Sequence, residues 1–111
     1  MGIKFLIVKM PNGLIYQITA ADIASHQARD FAKRRKAELG LNPEQFLDLF
    51  RAEYSRIIKD NTLILDWAEN NMEWEDVSGY AEILNDPIPG VDLHEGWINA
   101  PKVIVTKGDD R

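Results

Sequence analysis

The first eight interpretable positions, Ile3 to Met10, are apolar except for Lys4 and Lys9 and rich in β-branched and aromatic residues, which reads as a strand. Asn12-Gly13 follows, a pair suited to a tight type I′ hairpin turn because both positions accept φ > 0. Leu14 to Thr19 is then the returning strand. A two-residue turn would pair Pro11 with Leu14, setting Ile7 opposite Ile18 and Lys9 opposite Tyr16. That register predicts a core face of Ile3, Phe5, Ile7, Tyr16 and Ile18. The second face, with Leu6, Val8, Met10 and Ile15, is also too apolar to be left in water. Either the chain itself or a second copy in a homodimer would have to cover it.

The period then changes from two to 3.6. Thr19-Ala20-Ala21-Asp22 places a capping hydroxyl three residues before a carboxylate, and a helix is predicted from there to Leu39, stopped by Gly40. Ile23, Ala24, Ala28, Phe31, Ala32 and Leu39 mark its buried stripe. Asn42-Pro43 opens a second helix with Gln45 at the box position, and Phe46, Leu47, Phe50, Tyr54, Ile57 and Ile58 form its stripe. The pattern continues through Leu65 and Ala68 to Met72, but one helix of thirty residues would run about 45 Å. A break near Asp60-Asn61-Thr62 is therefore expected, with a third helix from Leu63 to Asn71.

Glu82 to Asn85 and Lys102 to Thr106 read as strands, the second with Val103 and Val105 toward the core. Residues 86–101 between them hold three prolines and two glycines, and a connection that long is functional or wrapped against the body. The expected fold is α+β: an N-terminal β-hairpin, two to three helices and two C-terminal strands, in a sheet of about four strands with helices on one face. One domain spans 1–107, and 108–111 is expected to be a frayed tail.

Charge and composition narrow the function classes. With 111 residues and a net charge of −5, the chain is an acidic protein, but the charge is uneven. Residues 1–60 hold ten Lys/Arg against seven Asp/Glu, whereas 61–111 hold three against eleven. An acidic half disfavours nucleic acid and anionic membranes and favours a basic protein surface. Cysteine is absent, so disulfides, thiolate metal sites and thiol catalysis are ruled out. The apolar run Phe5–Val8 between Lys4 and Lys9 is too short for a signal peptide or a membrane span, and the cytoplasm is the expected location.

Candidate chemistry is sparse. Asp66 to Val77 carries Trp67 and Trp74 among five carboxylates and no basic residue. Trp67 fits the apolar side of the third helix with Leu63, Leu65, Ala68 and Met72. Trp74 falls beyond that helix, between Glu73 and Glu75-Asp76, as a loop plug or an exposed contact residue. Trp97, next to Glu95 in the long connection, is its expected companion. Asp92, His94 and Glu95 have metal-ligating atoms but no recognised ligand spacing, and neither His94 nor His26 has a nucleophile placed beside it. No metal site, cofactor or catalytic residue is nominated. Arg29, Lys33, Arg34, Arg35 and Lys36 are the residues a phosphate backbone would meet, although a charged helix end is more often simply solvated.

Asp66-Trp67-Ala68-Glu69-Asn70-Asn71-Met72 with Trp74, Asp76 and Val77, then Glu95-Gly96-Trp97 and Asn99, resembles small uncharacterised proteins of tailed bacteriophages. The Ile18-Thr19-Ala20 helix opening is similar in style. The resemblance covers about two-thirds of the chain, is least close over the 44–56 helix, and implies a setting inside a bacterial host cell but no activity. The leading expectation is a non-enzymatic, protein-binding phage accessory factor that uses Trp74 and Trp97 as apolar anchors within Glu73, Glu75, Asp76 and Glu95. The alternatives are nucleic-acid binding through the basic end of the first helix and a small metal-dependent or acid/base enzyme around His94.

Overall fold

The hairpin turn decides which face of the sheet becomes the core. The computed structural model describes residues 2–10, 13–84 and 97–108. Strand β1 (Gly2–Lys9) and strand β2 (Ile15–Thr19) pair with Leu6 opposite Ile18 and Val8 opposite Tyr16. Met10 N–H donates to Leu14 O at 2.8 Å, and Gly13 N–H donates to Met10 O at 3.0 Å with Gly13 at φ 86°. The link between the paired residues is therefore three residues long, 11–13, rather than two. A shift of one residue turns every β1 side chain over. The buried set is Leu6, Val8, Met10, Leu14, Tyr16 and Ile18, which corrects the expected core face on β1, while Tyr16 and Ile18 lie where expected. Ile3, Phe5 and Ile7 occupy the outer face.

Two further strands complete an antiparallel sheet in the order β3-β2-β1-β4, with β3 at Glu82–Ile83 and β4 at Lys102–Gly108. Leu6 lies between Ile18 and Ile104, and Val8 between Tyr16 and Lys102, so these rows form the inner surface. Val103 and Val105 pair with Ile7 and Phe5 and share their outer face; Val103 is exposed. This corrects the expectation that both valines point to the core: Ile104, between them, packs there instead. Gly108 pairs with Gly2 and belongs to β4 rather than to a frayed tail. Across the outer face, Lys107 lies over the Phe5 ring at 5.0 Å and donates to Gln17 Oε1, whose amide donates to Glu82 Oε1 at 2.6 Å. Its alkyl stem can shade Phe5 from water while the ammonium stays wet.

The helices form where their caps place them. In α1 (Ala20–Leu39), the Thr19 hydroxyl accepts from Asp22 N–H and donates to the Asp22 carboxylate. Gly40, at φ 65°, ends it by donating its N–H to Lys36 O. In α2 (Pro43–Ile58), Asn42 and Gln45 bond reciprocally at 2.8 and 3.0 Å. The break at Asp60 is present: its carboxylate accepts from Thr62 and Leu63 N–H and starts α3 (Asn61–Asn71). Lys4 reaches up from β1 to the Ile58 carbonyl and to Asn61 Oδ1, both at 2.8 Å, placing a cation at the negative end of α2.

Packing is concentrated at one end of the helical layer. Ala20, Ile23, Ala24 and Ala28 of α1, Ile57 of α2, and Ile64 and Ala68 of α3 are buried with the inner sheet face, while Ala32 is buried outside that cluster. Each large apolar side chain in that set contributes about 1.5–3 kcal/mol. Beyond Ala32, α1 has no buried residue, and before Ile57 neither does α2. Leu39, expected in the stripe, is 64% exposed. The far half of the α1–α2 pair thus extends past the core, in a fold measuring 47 × 36 × 20 Å. Among the described residues, no helix is long and apolar enough to cross a membrane.

Candidate functional site

The acidic tryptophan segment divides at Met72, where the chain leaves α3 in an extended conformation. On the α3 side, Trp67 is half-buried, and its indole N–H donates to His26 Nδ1 at 2.9 Å across to α1. It is a packing residue between helices, as expected. Beyond Met72, the short helix α4 (Trp74–Val77) starts at Trp74, an element that the sequence pattern did not announce. Glu73 N–H donates to Asp76 Oδ2 at 2.8 Å, which closes the turn and directs the Trp74 ring inward.

Trp74 ends up half-buried between two aromatic rings. Its centroid lies 4.9 Å from that of Tyr16 in an edge-on arrangement (66° between planes) and 6.4 Å from that of Trp97. Edge-to-face geometry suits the ring quadrupoles and adds about 0.5–1.5 kcal/mol beyond area burial. Trp97, in a helical turn at 97–99, is 0% exposed, and its indole N–H donates to Met72 O at 2.9 Å. Trp97 is therefore a core residue that backs Trp74, not a second exposed anchor. Its N–H satisfies a carbonyl left free where α3 ends, a contact between residues 25 positions apart that no local pattern announces.

Lys102 closes the column on the far side. Its ammonium lies 4.5 Å from the Trp97 ring centroid and donates to Trp97 O at 2.7 Å and to Ala100 O at 3.2 Å. Burial pushes its pKa below the ordinary lysine value, while the Glu69 carboxylate pulls it back up. This residue was not nominated from sequence, where it reads as the first residue of a strand.

Around the half-exposed Trp74 edge, Glu73, Glu75 and Asp76 are all exposed. Tyr80, Ile83 and Leu84, also exposed, follow in sequence: Ile83 stands opposite Tyr16, whose ring meets Trp74, and Leu84 N–H bonds Ile15 O at 2.8 Å. The edge of the sheet is thus apolar where α4 is acidic. These three apolar residues were missed because a strand of only two residues carries no alternation to read. Glu95, together with Asp92 and His94, lies outside the described residues.

The basic set forms a separate surface. Arg29, Lys33, Arg34, Arg35 and Lys36 are all exposed along 29–36 of α1. Several are already engaged: Arg34 pairs with Asp30, Arg35 approaches Glu38 at 3.8 Å and the Phe31 ring at 5.4 Å, and Lys36 lies 5.7 Å from the Phe46 ring. Such contacts lower the positive potential a phosphate backbone would meet. Comparison with protein-family models, curated proteins and solved structures finds no match to this chain.

Proposed function

We propose that the protein is a non-enzymatic binding protein that seats a basic protein surface on the Trp74 patch. The observation that carries this reading is a half-exposed indole clamped by Tyr16 and Trp97 within an acidic stretch: residues 61–101 contain nine carboxylates and no Lys or Arg. A ring already held by its neighbours loses little rotamer freedom on binding, so more of its desolvation is realised as affinity. Glu73, Glu75 and Asp76 attract a cationic partner, and exposed Ile83, opposite Tyr16, extends the apolar contact. Together with the resemblance to small phage proteins, this makes a phage accessory factor acting in the host cytoplasm the favoured setting.

The test is capture from a bacterial lysate on the immobilised full chain, comparing wild type with Trp74→Ala and Glu75→Lys. Specific partners should fall by about tenfold or more with Trp74→Ala, the scale of an interface hot spot. Glu75→Lys, at an exposed position, should weaken capture without disturbing the fold, and added salt should weaken it further. Identical capture by all three proteins overturns the reading. A second reading, nucleic-acid binding through Arg29, Lys33, Arg34, Arg35 and Lys36, is favoured only by their common exposure on α1. It requires duplex or single-stranded binding at low salt that falls steeply as salt rises.

A further inference from the structure

The far half of the α1–α2 pair encloses an open groove of about 550 Å³. Phe31, Arg35 and Leu39 of α1, at every fourth position, form one wall; Asp48 and Leu49 of α2 form the other, and Leu41 of the link closes the end. Its lining is mainly apolar, and Leu39 stands largely in solvent. Within this chain α2 packs on α1 and α3, and no lining residue comes from α3.

We propose that this groove is a self-association surface: two copies pack their α1–α2 pairs across a two-fold axis to form a four-helix bundle. A two-fold interface must be self-complementary, because each contact is made twice with the roles exchanged. The groove meets that demand with a cation, Arg35, on one wall and an anion, Asp48, on the other. The sign difference extends along both helices. Residues 29–39 of α1 carry Arg29, Lys33, Arg34, Arg35 and Lys36 against Asp30 and Glu38, whereas 43–53 of α2 carry Glu44, Asp48 and Glu53 against Arg51. Setting α1 of one copy on α2 of the other brings opposite charges together at both contacts, and setting α1 on α1 brings like charges together. Charge therefore selects the arrangement as well as the partner.

Leu39, Leu49 and Phe31 would supply the knobs of a bundle core.

Sedimentation equilibrium of the full chain between about 1 and 500 µM tests the proposal, a range that spans weak to moderate association. Wild type should reach the dimer mass. Leu39→Glu should raise the dissociation constant at least tenfold with unchanged helical circular dichroism, since the residue is exposed in the monomer. Arg35→Asp and Asp48→Arg should each weaken the dimer, and the double swap should restore it to within about threefold of wild type. A wild type that stays monomeric throughout, as expected if the groove holds a helix of another protein, overturns the proposal. So does a dimer indifferent to Leu39→Glu, or a double swap no better than the single ones. Trp74→Ala lies outside the groove and leaves the dimer unchanged, so this result and the lysate capture fail independently.

Discussion

Trp67 donates its indole N–H to Nδ1 of His26 at 2.9 Å, with the two ring centroids 5.8 Å apart. The bond joins α3 to α1 across 41 positions of sequence and requires the imidazole tautomer that carries its hydrogen on Nε2. His26→Leu leaves a half-buried indole N–H without its acceptor and should cost about 1–2 kcal/mol. Trp67→Phe in the same background removes the stranded donor, so the two losses should be less than additive by about 0.5–1.5 kcal/mol. A double-mutant cycle from urea denaturation measures this, and strict additivity would show that the bond carries no coupling.

Lys102 gives the protein a dependence on alkaline pH. Its folded pKa is depressed, chiefly by burial, with Glu69 opposing. The folded state therefore binds this proton more weakly than the unfolded chain. The desolvation cost is present while the ammonium is charged, and it is relieved as pH rises through the folded value toward the ordinary lysine value of about 10.4. Wild type should thus gain stability relative to Lys102→Met across the window just below that value. Urea midpoints at stepped pH for the two proteins report the slope, and a flat or falling difference contradicts it.

Lys4 ties the central strand to the junction of α2 and α3 through the Ile58 carbonyl and Asn61 Oδ1. Lys4→Met preserves the alkyl stem and removes the ammonium, leaving a helix-end carbonyl without its cation. The expected loss is about 1–2 kcal/mol, which lowers the melting temperature by roughly 4–10 °C in a domain of this size. Thermal melts by circular dichroism decide it; an unchanged midpoint would mean that water replaces the ammonium at no cost.

Helix boundaries were legible in the sequence because their signals are local. Thr19 with Asp22 and Asn42 with Gln45 satisfy backbone groups within three residues, and both caps are present; the break near Asp60 followed from helix length, and the Asp60 carboxylate starts α3 at Asn61, two residues before the expected Leu63. Strand facing was not legible, because Ile3, Phe5 and Ile7 are as apolar as Leu6, Val8 and Met10. With no polar face to mark the outside, only the length of the turn could set the register, and a three-residue link at Gly13 chose the opposite face of β1. Val103, Ile104 and Val105 were ambiguous for the same reason. At the candidate site, the exposed carboxylates of α4 were readable from composition. The division of labour between Trp74 and Trp97 was not, since it depends on Met72 and Tyr16, which are distant in sequence from Trp97 and Trp74.

The pairing of β1 with β4, from Gly2 opposite Gly108 to Val8 opposite Lys102, sets the order in which this fold can be completed. The β1–β2 hairpin and the α1–α2 pair close over short spans of chain and can form early. The β4 ladder closes the longest loop in the molecule, so its entropy must be lost before its hydrogen bonds form. During synthesis, β1 therefore remains an open edge on one side until β4 has left the ribosome. In that interval, a strand from elsewhere could add to Ile3–Val8, and the speed of β4 docking governs how long that opportunity lasts.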